Sequence, residues 1–152
     1  MILATDQLSD YVGQLAMVDG SFDPIHEGHI AYFAGAAKFG APVLCNVAPD
    51  NWTESKHVLL LDQQKRGVVL DSIRYISFVH LASVSTREIL ELLRPRFYIK
   101  GNDWLERGGV PADEKDVCQR LGIEIHYLDT VLNSSSQILS DWSSTAATES
   151  NN

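Results

Sequence analysis

A buried strand that runs into a turn of small and polar residues decides the fold of this chain. The apolar stretch Leu15–Val18 leads, through Asp19, into Gly20-Ser21-Phe22-Asp23-Pro24-Ile25-His26-Glu27-Gly28-His29. A strand, a small-residue turn and then a helix point free backbone N–H groups and the positive end of a helix dipole at an anion. The segment therefore predicts a phosphate-binding turn at the end of a strand.

Two histidines lie in this turn at a spacing of three residues. If the helix begins between Pro24 and Gly28, the rings of His26 and His29 project from one side of its first turn. Gly28, between them, lets the backbone come close to a ligand. A His-x-x-His pair taken alone is more often a helix-end contact than a catalytic pair. Other motifs in the chain are needed to distinguish a helix-end contact from a catalytic pair.

Working outward, short apolar runs alternate with longer stretches of helical periodicity, which is typical of repeated βαβ units. The pattern predicts one α/β domain: a doubly wound, Rossmann-like parallel sheet in an αβα sandwich. The predicted strands are Leu15–Val18, Pro42–Ala48, Phe78–Leu81, Phe97–Ile99 and Ile123–Tyr127. The predicted helices are His29–Phe39, Asp62–Ile73, Ser85–Leu93 and Asp113–Leu121, each ended by a glycine or proline or by a following loop.

The two ends of the chain differ from this pattern. Residues 1–13 resemble a short leading helix, and we take residues 1–139 as the folded domain. Residues 140–152 are rich in Ser, Thr and Asn and have few apolar anchors, so we expect a disordered tail.

Composition excludes several classes of protein. A chain of 152 residues with 45% apolar content suits a single domain. The net charge is −8 and the basic residues are scattered, which argues against a nucleic-acid partner. Cys45 and Cys118 are expected to be buried thiols, not a disulfide or zinc framework. Without a signal-like segment or an apolar run of about 20 residues, we expect a soluble, cytoplasmic protein that does not enter a membrane.

Polar loops follow several of the predicted strands. The segments Gly20–His29, Ala48–His57 and Lys100–Trp104 each follow a strand, so they should open at the same edge of the sheet. A fourth segment, Asn133–Ser136, has the hydroxyl cluster of a helix N-cap and could donate to phosphate. We therefore expect these four segments to converge on one ligand.

These segments together resemble the cytidylyltransferase-like branch of the HxGH nucleotidyltransferases. Ser21–His29 resembles the signature motif, and Lys56 stands where that family often places a phosphate-binding lysine. Gln64–Arg66 resembles the arginine motif on a helix, Ile99–Trp104 the loop on the nucleotide side, and Ser134–Ser136 the terminal Ser-Thr-Thr. The matches run in the expected order over about residues 16–139, and an ordered set is far more specific than the histidine pair.

The resemblance implies an enzyme that transfers a nucleotidyl group from a nucleoside triphosphate to a phosphorylated small molecule, with release of pyrophosphate and no covalent enzyme intermediate. Mg²⁺ would enter with the triphosphate, and no residue is assigned as a metal ligand. The catalytic residues that it implies are His26, His29, Lys56 and Arg66. The nucleotide-binding residues that it implies are Ser21, Phe22, Asp23, His26, Gly28, His29, Lys100, Gly101, Asp103, Ser134, Ser135 and Ser136.

Some of these residues have a second interpretation. Asp23 could brace its own turn, and Arg66 could pair with Asp62 one helical turn earlier. Trp104 could stack on a base or cover core. His57, His80 and His126 are expected to be structural because no partner at ligand spacing accompanies them.

The substrates stay open at this point. Lys100 resembles the branch that adenylylates heptose 1-phosphate, so a sugar-phosphate adenylyltransferase using ATP ranks first. A cytidylyltransferase using CTP and a polyol or amino-alcohol phosphate ranks second. Thr130–Asn133 lacks the arginine and glycine that cytidylyltransferases carry there, which leaves the base contacts of that segment undefined.

Two further classes remain as alternatives. The chain could be a nucleotide-binding module without turnover, or Asp23, His26 and His29 could hold a transition metal for hydrolysis. The family often forms homodimers, and a larger parent protein with a fused kinase is a further option, but no sequence feature decides either question.

Overall fold

The sheet has six strands, and all of its pairings are parallel. The computed structural model describes residues 1–129 and 134–150. Within them the strand order is β1-β4-β3-β2-β5-β6. The strands are β1 Ile2–Leu3, β2 Ala16–Gly20, β3 Val43–Val47, β4 Phe78–Leu81, β5 Phe97–Gly101 and β6 Glu124–Leu128.

Helices connect the strands and cover the sheet. They are α1 Glu27–Ala37, α2 Asp50–Glu54, α3 Gln63–Asp71, α4 Thr86–Leu93, α5 Asn102–Glu106, α6 Ala112–Leu121 and α7 Ser135–Ser150, preceded by a 3₁₀ helix over Thr5–Tyr11. The predicted α/β fold with a doubly wound parallel sheet is confirmed, as are the existence and type of each central strand and each long helix.

The side-chain alternation along β2 creates two cores. Ala16 and Val18 pack with the cluster that contains Phe33 of α1, whereas Met17 packs on the opposite face with the cluster that contains Leu90 of α4. Successive residues of a strand point to opposite faces. Strand β2 is therefore buried on both sides, as its continuous apolar sequence indicates.

The chain order reverses at β2, which pairs with β3 on one side and with β5 on the other. In an open parallel sheet, the crevice at such a reversal, beyond the carboxyl ends of the strands, is the usual ligand site. The turn after β2 occupies that position.

The N-terminal prediction needs correction. Residues 1–13 are not one leading helix: β1 pairs with β4 as the edge strand of the sheet before the 3₁₀ helix begins. Leu3 and Leu8 are almost completely buried. The short strand covers the edge of β4, and a sequence window of a dozen residues cannot reveal that long-range pairing.

The C-terminal prediction also differs from the structure. Residues 140–150 continue helix α7 where the sequence predicted a disordered tail, whereas residues 151 and 152, like residues 130–133, lie outside the described residues. Most of α7 is exposed. Hydroxyls of Ser144, Thr145 and Thr148 donate to carbonyls four residues earlier. No glycine or proline interrupts this stretch, so no helix breaker ends α7 before Ser150.

Among the described residues, no helix combines the length and the apolar character needed to cross a bilayer.

Candidate active site

A cavity of about 210 Å³ opens at the carboxyl ends of β2 and β5. It gathers residues from the turn after β2, the loop after α2, the β5–α5 junction and the start of α7. Its lining comprises Asp19, Gly20, Ser21, Phe22, His26, Gly28, His29, Tyr32, Lys56, His57, Lys100, Gly101, Asp103, Trp104, Arg107, Ser134, Ser135 and Ser136.

The two histidines are held by the backbone at the start of α1. His26 is the N-cap of the helix, and its Nδ1 accepts a hydrogen bond from the Gly28 N–H at 3.1 Å. His29 Nδ1 accepts from the His26 N–H at 3.3 Å. The rings are stacked with their centroids 3.8 Å apart. Because both Nδ1 atoms accept, each neutral ring carries its proton on Nε2.

Both histidines are held in the neutral form. Burial, and then the neighbouring His26, lower the pKa of His29 to about 3. Burial also lowers the pKa of His26. The buried Nε2 of His26 has no hydrogen-bond partner among the described residues. An unpaired buried N–H is costly, so this group is poised to donate to a ligand oxygen in the cavity that it lines.

Lys100 lies between an acidic and an aromatic partner. Its side chain is 5% exposed, and its ammonium group forms an ion pair with Asp19 at the end of β2. The same ammonium group lies 4.3 Å from the centre of the Trp104 ring. A buried lysine needs such compensation to stay charged. The geometry fixes one positive charge at the floor of the cavity.

Asp19 is itself held by a hydroxyl. The Tyr98 hydroxyl lies 3.1 Å from Asp19 Oδ2 and 2.7 Å from Glu114 Oε1. One hydroxyl proton cannot satisfy two carboxylates, and burial raises the pKa of Glu114. The Tyr98 hydroxyl is thus shared between the two carboxylates and links Asp19 to Glu114.

A second lysine lies at the rim of the cavity. The Lys56 ammonium group is 4.9 Å from the centre of the Trp52 ring. Partial burial and the positive charges of Lys100 and Arg107 lower the pKa of Lys56. The repulsion between these positive charges is relieved when a polyanion binds between them. The cavity is thus suited to phosphate groups.

The serines of the C-terminal segment close the cavity. The Ser134 hydroxyl accepts from the Gln137 N–H at the start of α7, and the Ser135 hydroxyl donates to the Pro24 carbonyl at 2.8 Å. These bonds attach α7 to the turn after β2. The N-terminal N–H groups of α7 therefore lie beside the histidines, at a position that favours an anion.

A comparison with known families agrees with this geometry. The sequence profile of the cytidylyltransferase-like family matches residues 17–146, which include every residue that lines the cavity. The chain belongs to the cytidylyltransferase-like family. The resemblance carried by the sequence motifs is thereby confirmed.

Individual relatives are more distant. The chain is 27% identical over 104 residues to the bifunctional protein HldE of Trichlorobacter lovleyi, covering 66% of this chain and 21% of that protein. It is 30% identical over 89 residues to the FAD synthase of Archaeoglobus fulgidus, covering 57% of this chain and 64% of the synthase. The chain thus spans about a fifth of the HldE protein.

A solved structure shows the same fold. The lipopolysaccharide core biosynthesis protein from Thermoplasma volcanium superposes with a TM-score of 0.63 at 18% identity, covering 77% of this chain and 97% of that chain.

Most of the predicted site residues come together in the cavity. The structure places there His26, His29, Lys56, Ser21, Phe22, Gly28, Lys100, Gly101, Asp103, Ser134, Ser135 and Ser136. Phe22 contributes mainly packing, since its ring lies against His29 and Phe33. Gly101 is the N-cap of α5, and Asp103 lies 3.7 Å from Arg107.

Asp23 does not reach the cavity. Its carboxylate is fully buried and accepts hydrogen bonds from the Leu60 and Leu61 N–H groups at 2.8 and 3.1 Å. The prediction that Asp23 binds the nucleotide needs correction, and the alternative in which it braces a turn describes its contacts. It also does not join His26 and His29 as a third metal ligand.

Arg66 also lies outside the cavity. Its side chain is 0% exposed, and its guanidinium donates to the carbonyls of Ser21, Ala48 and Leu61 and to Asp50. Because these contacts use four of its five N–H donors and the guanidinium is buried outside the cavity, the predicted catalytic contact with the triphosphate needs correction. The alternative pairing with Asp62 is also wrong, because Asp62 caps α3 and pairs with Lys65.

Several cavity residues were not predicted. Asp19, Tyr32, His57 and Arg107 line the cavity, although the sequence predicts a structural role for His57. An acidic residue at the end of a buried strand was the available signal for Asp19. Arg107 follows Asp103 by one helical turn, a spacing that could have suggested their contact.

Proposed function

We propose that the protein transfers a nucleotidyl group from a nucleoside triphosphate to the phosphate of a small-molecule acceptor. The observation that carries the proposal is the pair of neutral, stacked histidines whose Nε2–H groups serve a cavity with two lysines. Family membership supports the same reaction class.

The reaction requires no covalent intermediate with the protein. A phosphate oxygen of the acceptor attacks the α-phosphorus in line, and the bond between that phosphorus and the bridging oxygen to the β-phosphorus breaks. The bond's electron pair leaves with pyrophosphate. His26 and His29 would donate to the oxygens on which charge accumulates, while Lys56 and Lys100 would neutralise the phosphates. Such catalysis depends on positioning and charge, which the backbone-held rings provide.

We further propose that Mg²⁺ enters with the triphosphate. The described residues contain no group of three or more His, Cys, Asp and Glu able to hold a metal. Phosphate oxygens are suitable Mg²⁺ ligands that need few carboxylates from the protein. Bound in this way, the ion would neutralise charge on the leaving pyrophosphate.

For the substrates, we propose ATP and a sugar phosphate first. The loop that contains Lys100 resembles the branch that adenylylates heptose 1-phosphate. A relative named FAD synthase supports adenylyl transfer. CTP with a polyol or amino-alcohol phosphate is the second pair to test. We also propose a cytoplasmic location, where nucleoside triphosphates are available. A homodimer stays a prediction, which a measurement of the molar mass by light scattering would test.

The test is pyrophosphate release with Mg²⁺, crossing ATP and CTP against phosphorylated sugars, polyols and amino alcohols. One productive pair establishes the base and the acceptor together. Triphosphate binding without release for any pair would contradict the proposal and favour a nucleotide-binding module without turnover.

A further inference from the structure

A second cavity, of about 350 Å³, lies on the other side of Lys100. It shares Asp19, Gly20, Lys56, Lys100 and Trp104 with the first cavity. If the triphosphate occupies the first cavity, as the proposed function has it, the shared residues mark the place where donor and acceptor phosphates meet. The second cavity is then left for the rest of the acceptor.

Asn46 is a buried polar residue that lines the second cavity but not the first. It lies on β3 and is 2% exposed. Its Oδ1 lies 2.7 Å from His80 Nδ1, and His80 Nε2 lies 2.9 Å from Thr5 Oγ1. No described residue accepts a hydrogen bond from the Asn46 amide nitrogen. A buried amide usually uses its donors, so this –NH₂ group is available to a ligand.

The Asn46 oxygen contacts a histidine behind it. Burial lowers the pKa of His80, so the ring is neutral and has one N–H, which faces the Asn46 oxygen as Nδ1–H. Thr5 holds the other ring nitrogen. Because Asn46 Oδ1 is the atom that faces His80, the amide nitrogen is the atom left toward the cavity that Asn46 lines.

The wall beside Asn46 supplies acceptors, since Asp19 is the register partner of Asn46 on the neighbouring strand β2. Asp19 and Glu114 line the second cavity, and Thr86, at the start of α4, adds a hydroxyl 3.5 Å from Asp19 Oδ2. A hydroxyl group of a ligand both donates and accepts, and this wall together with the Asn46 amide offers both functions.

The aromatic side chains argue against a cationic ligand. Trp52 and Trp104 line the second cavity, and aromatic faces are the usual means of binding an ammonium group. Here each ring already has a lysine ammonium against it, at 4.9 Å for Lys56 and 4.3 Å for Lys100. A second positive charge at these rings would be repelled by the lysines. The three acidic side chains of the cavity, Asp19, Asp113 and Glu114, are matched by three basic ones, Lys56, Arg87 and Lys100.

We propose that the second cavity binds the uncharged, hydroxyl-bearing body of the phosphorylated acceptor, with Asn46 as a specificity-determining hydrogen-bond donor. The acceptor phosphate then lies between Lys56 and Lys100, and its body extends toward Asn46 and Thr86. This inference rests on the proposed function and selects a sugar or polyol phosphate over an amino-alcohol phosphate.

The test combines matched acceptors with matched variants. For wild-type protein with Mg²⁺ and the productive triphosphate, we expect higher kcat/KM for 2-hydroxyethyl phosphate than for 2-aminoethyl phosphate, and higher still for sugar phosphates. Asn46→Ala is expected to raise the acceptor KM at least about fivefold, the scale of one lost hydrogen bond. The Kd of an α,β-methylene triphosphate should be unchanged, because Asn46 does not line the first cavity.

Asn51→Ala is the control, since the exposed Asn51 lines neither cavity and its acceptor KM should match wild type. Thr86→Val tests the same cavity if Asn46→Ala fails to fold, and it too should raise the acceptor KM.

Two outcomes would overturn the inference while leaving the proposed function intact: preference for the amino-alcohol phosphate, or turnover with an unchanged acceptor KM in both Asn46→Ala and Thr86→Val. If no acceptor releases pyrophosphate and calorimetry with the methylene analogue shows no acceptor binding, both the inference and the proposed function fail.

Discussion

The smallest unit that carries function here is the pair of Nε2–H groups on His26 and His29. Backbone N–H groups hold both Nδ1 atoms, so neither ring has to reorient when charge develops on the phosphates. We expect His26→Ala and His29→Ala each to lower kcat at least about a hundredfold without unfolding the protein, because donors to the transition state act mainly on the barrier.

Pyrophosphate release and circular dichroism check this prediction together. His126→Ala serves as the control, because His126 packs against Phe39 and Phe97 away from the cavity. Near-normal turnover in both cavity variants would contradict the role given to the pair.

The low pKa of His29 predicts how stability depends on pH. The pKa is about 3 in the folded protein and about 6.5 in the unfolded chain. Between these values the unfolded chain binds a proton that the folded protein does not, so stability falls as the pH is lowered below about 6.5. We expect His29 to account for about 1 kcal/mol of the stability lost between pH 7 and pH 5, a contribution already reduced because the side chain is partly exposed.

His29→Asn should therefore lose less stability over this interval, which corresponds to a melting temperature drop smaller by about 2–4 °C. Thermal unfolding of wild type and variant at both pH values measures the difference. An equal drop in the two proteins would show that His29 does not resist protonation.

At the scale of the elements, Arg66 joins three segments that surround the site. From α3 it reaches carbonyls after β2 and β3 and in the loop before α3. We expect Arg66→Met to destabilise the fold by about 3 kcal/mol, because buried carbonyls and Asp50 lose their donor.

Urea unfolding measures this loss, and Lys65→Ala is the matched control, since the Lys65 side chain is 68% exposed and should cost less than about 1 kcal/mol. If Arg66→Met leaves stability unchanged but abolishes triphosphate binding, Arg66 belongs to the site after all.

The two ends of helix α7 differ: we expect its N-terminus to contribute to ligand binding and its C-terminus to contribute little to stability. Ser134–Ser136 line the cavity, whereas most side chains after Leu139 are exposed. Truncation after Ser140 should change the melting temperature by less than about 3 °C. Truncation after residue 133 should weaken triphosphate binding about tenfold, because the serines and the helix N-terminus are lost.

Calorimetry with an α,β-methylene triphosphate compares the two truncated proteins. Equal affinities would contradict the role of the serines.

The elements also show what sequence can reveal. Strands β2–β5 and the long helices were predictable because a doubly buried strand is a continuous apolar run and helix stops are local. The roles of Asp19 and Asn46 were not predictable from sequence. Asp19 pairs with Lys100 and Asn46 contacts His80, and both partners are distant along the chain. The sequence does not reveal that Arg66 is buried, because a buried and an exposed arginine look alike in a motif.

At the scale of the whole molecule, the site lies where the two halves of the sheet meet. Strand β2 pairs with β3 in one half and with β5 in the other, and the cavity takes side chains from both. A ligand bound there contacts both halves, so it should stabilise them together. We expect Mg²⁺ with an α,β-methylene triphosphate at about 100 times its Kd to raise the free energy of unfolding by about 2.7 kcal/mol.

For a chain of this length, that gain corresponds to a rise in melting temperature of about 5–10 °C. Because the ligand bridges the halves, one cooperative transition should move as a unit in calorimetry. The variant His26→Ala, compared at the same ligand concentration, should show a smaller shift, since it lacks one donor to the phosphates. Two transitions of which only one moves would mean that the triphosphate binds a single half, and the cavity at the reversal of the sheet would then not be its site.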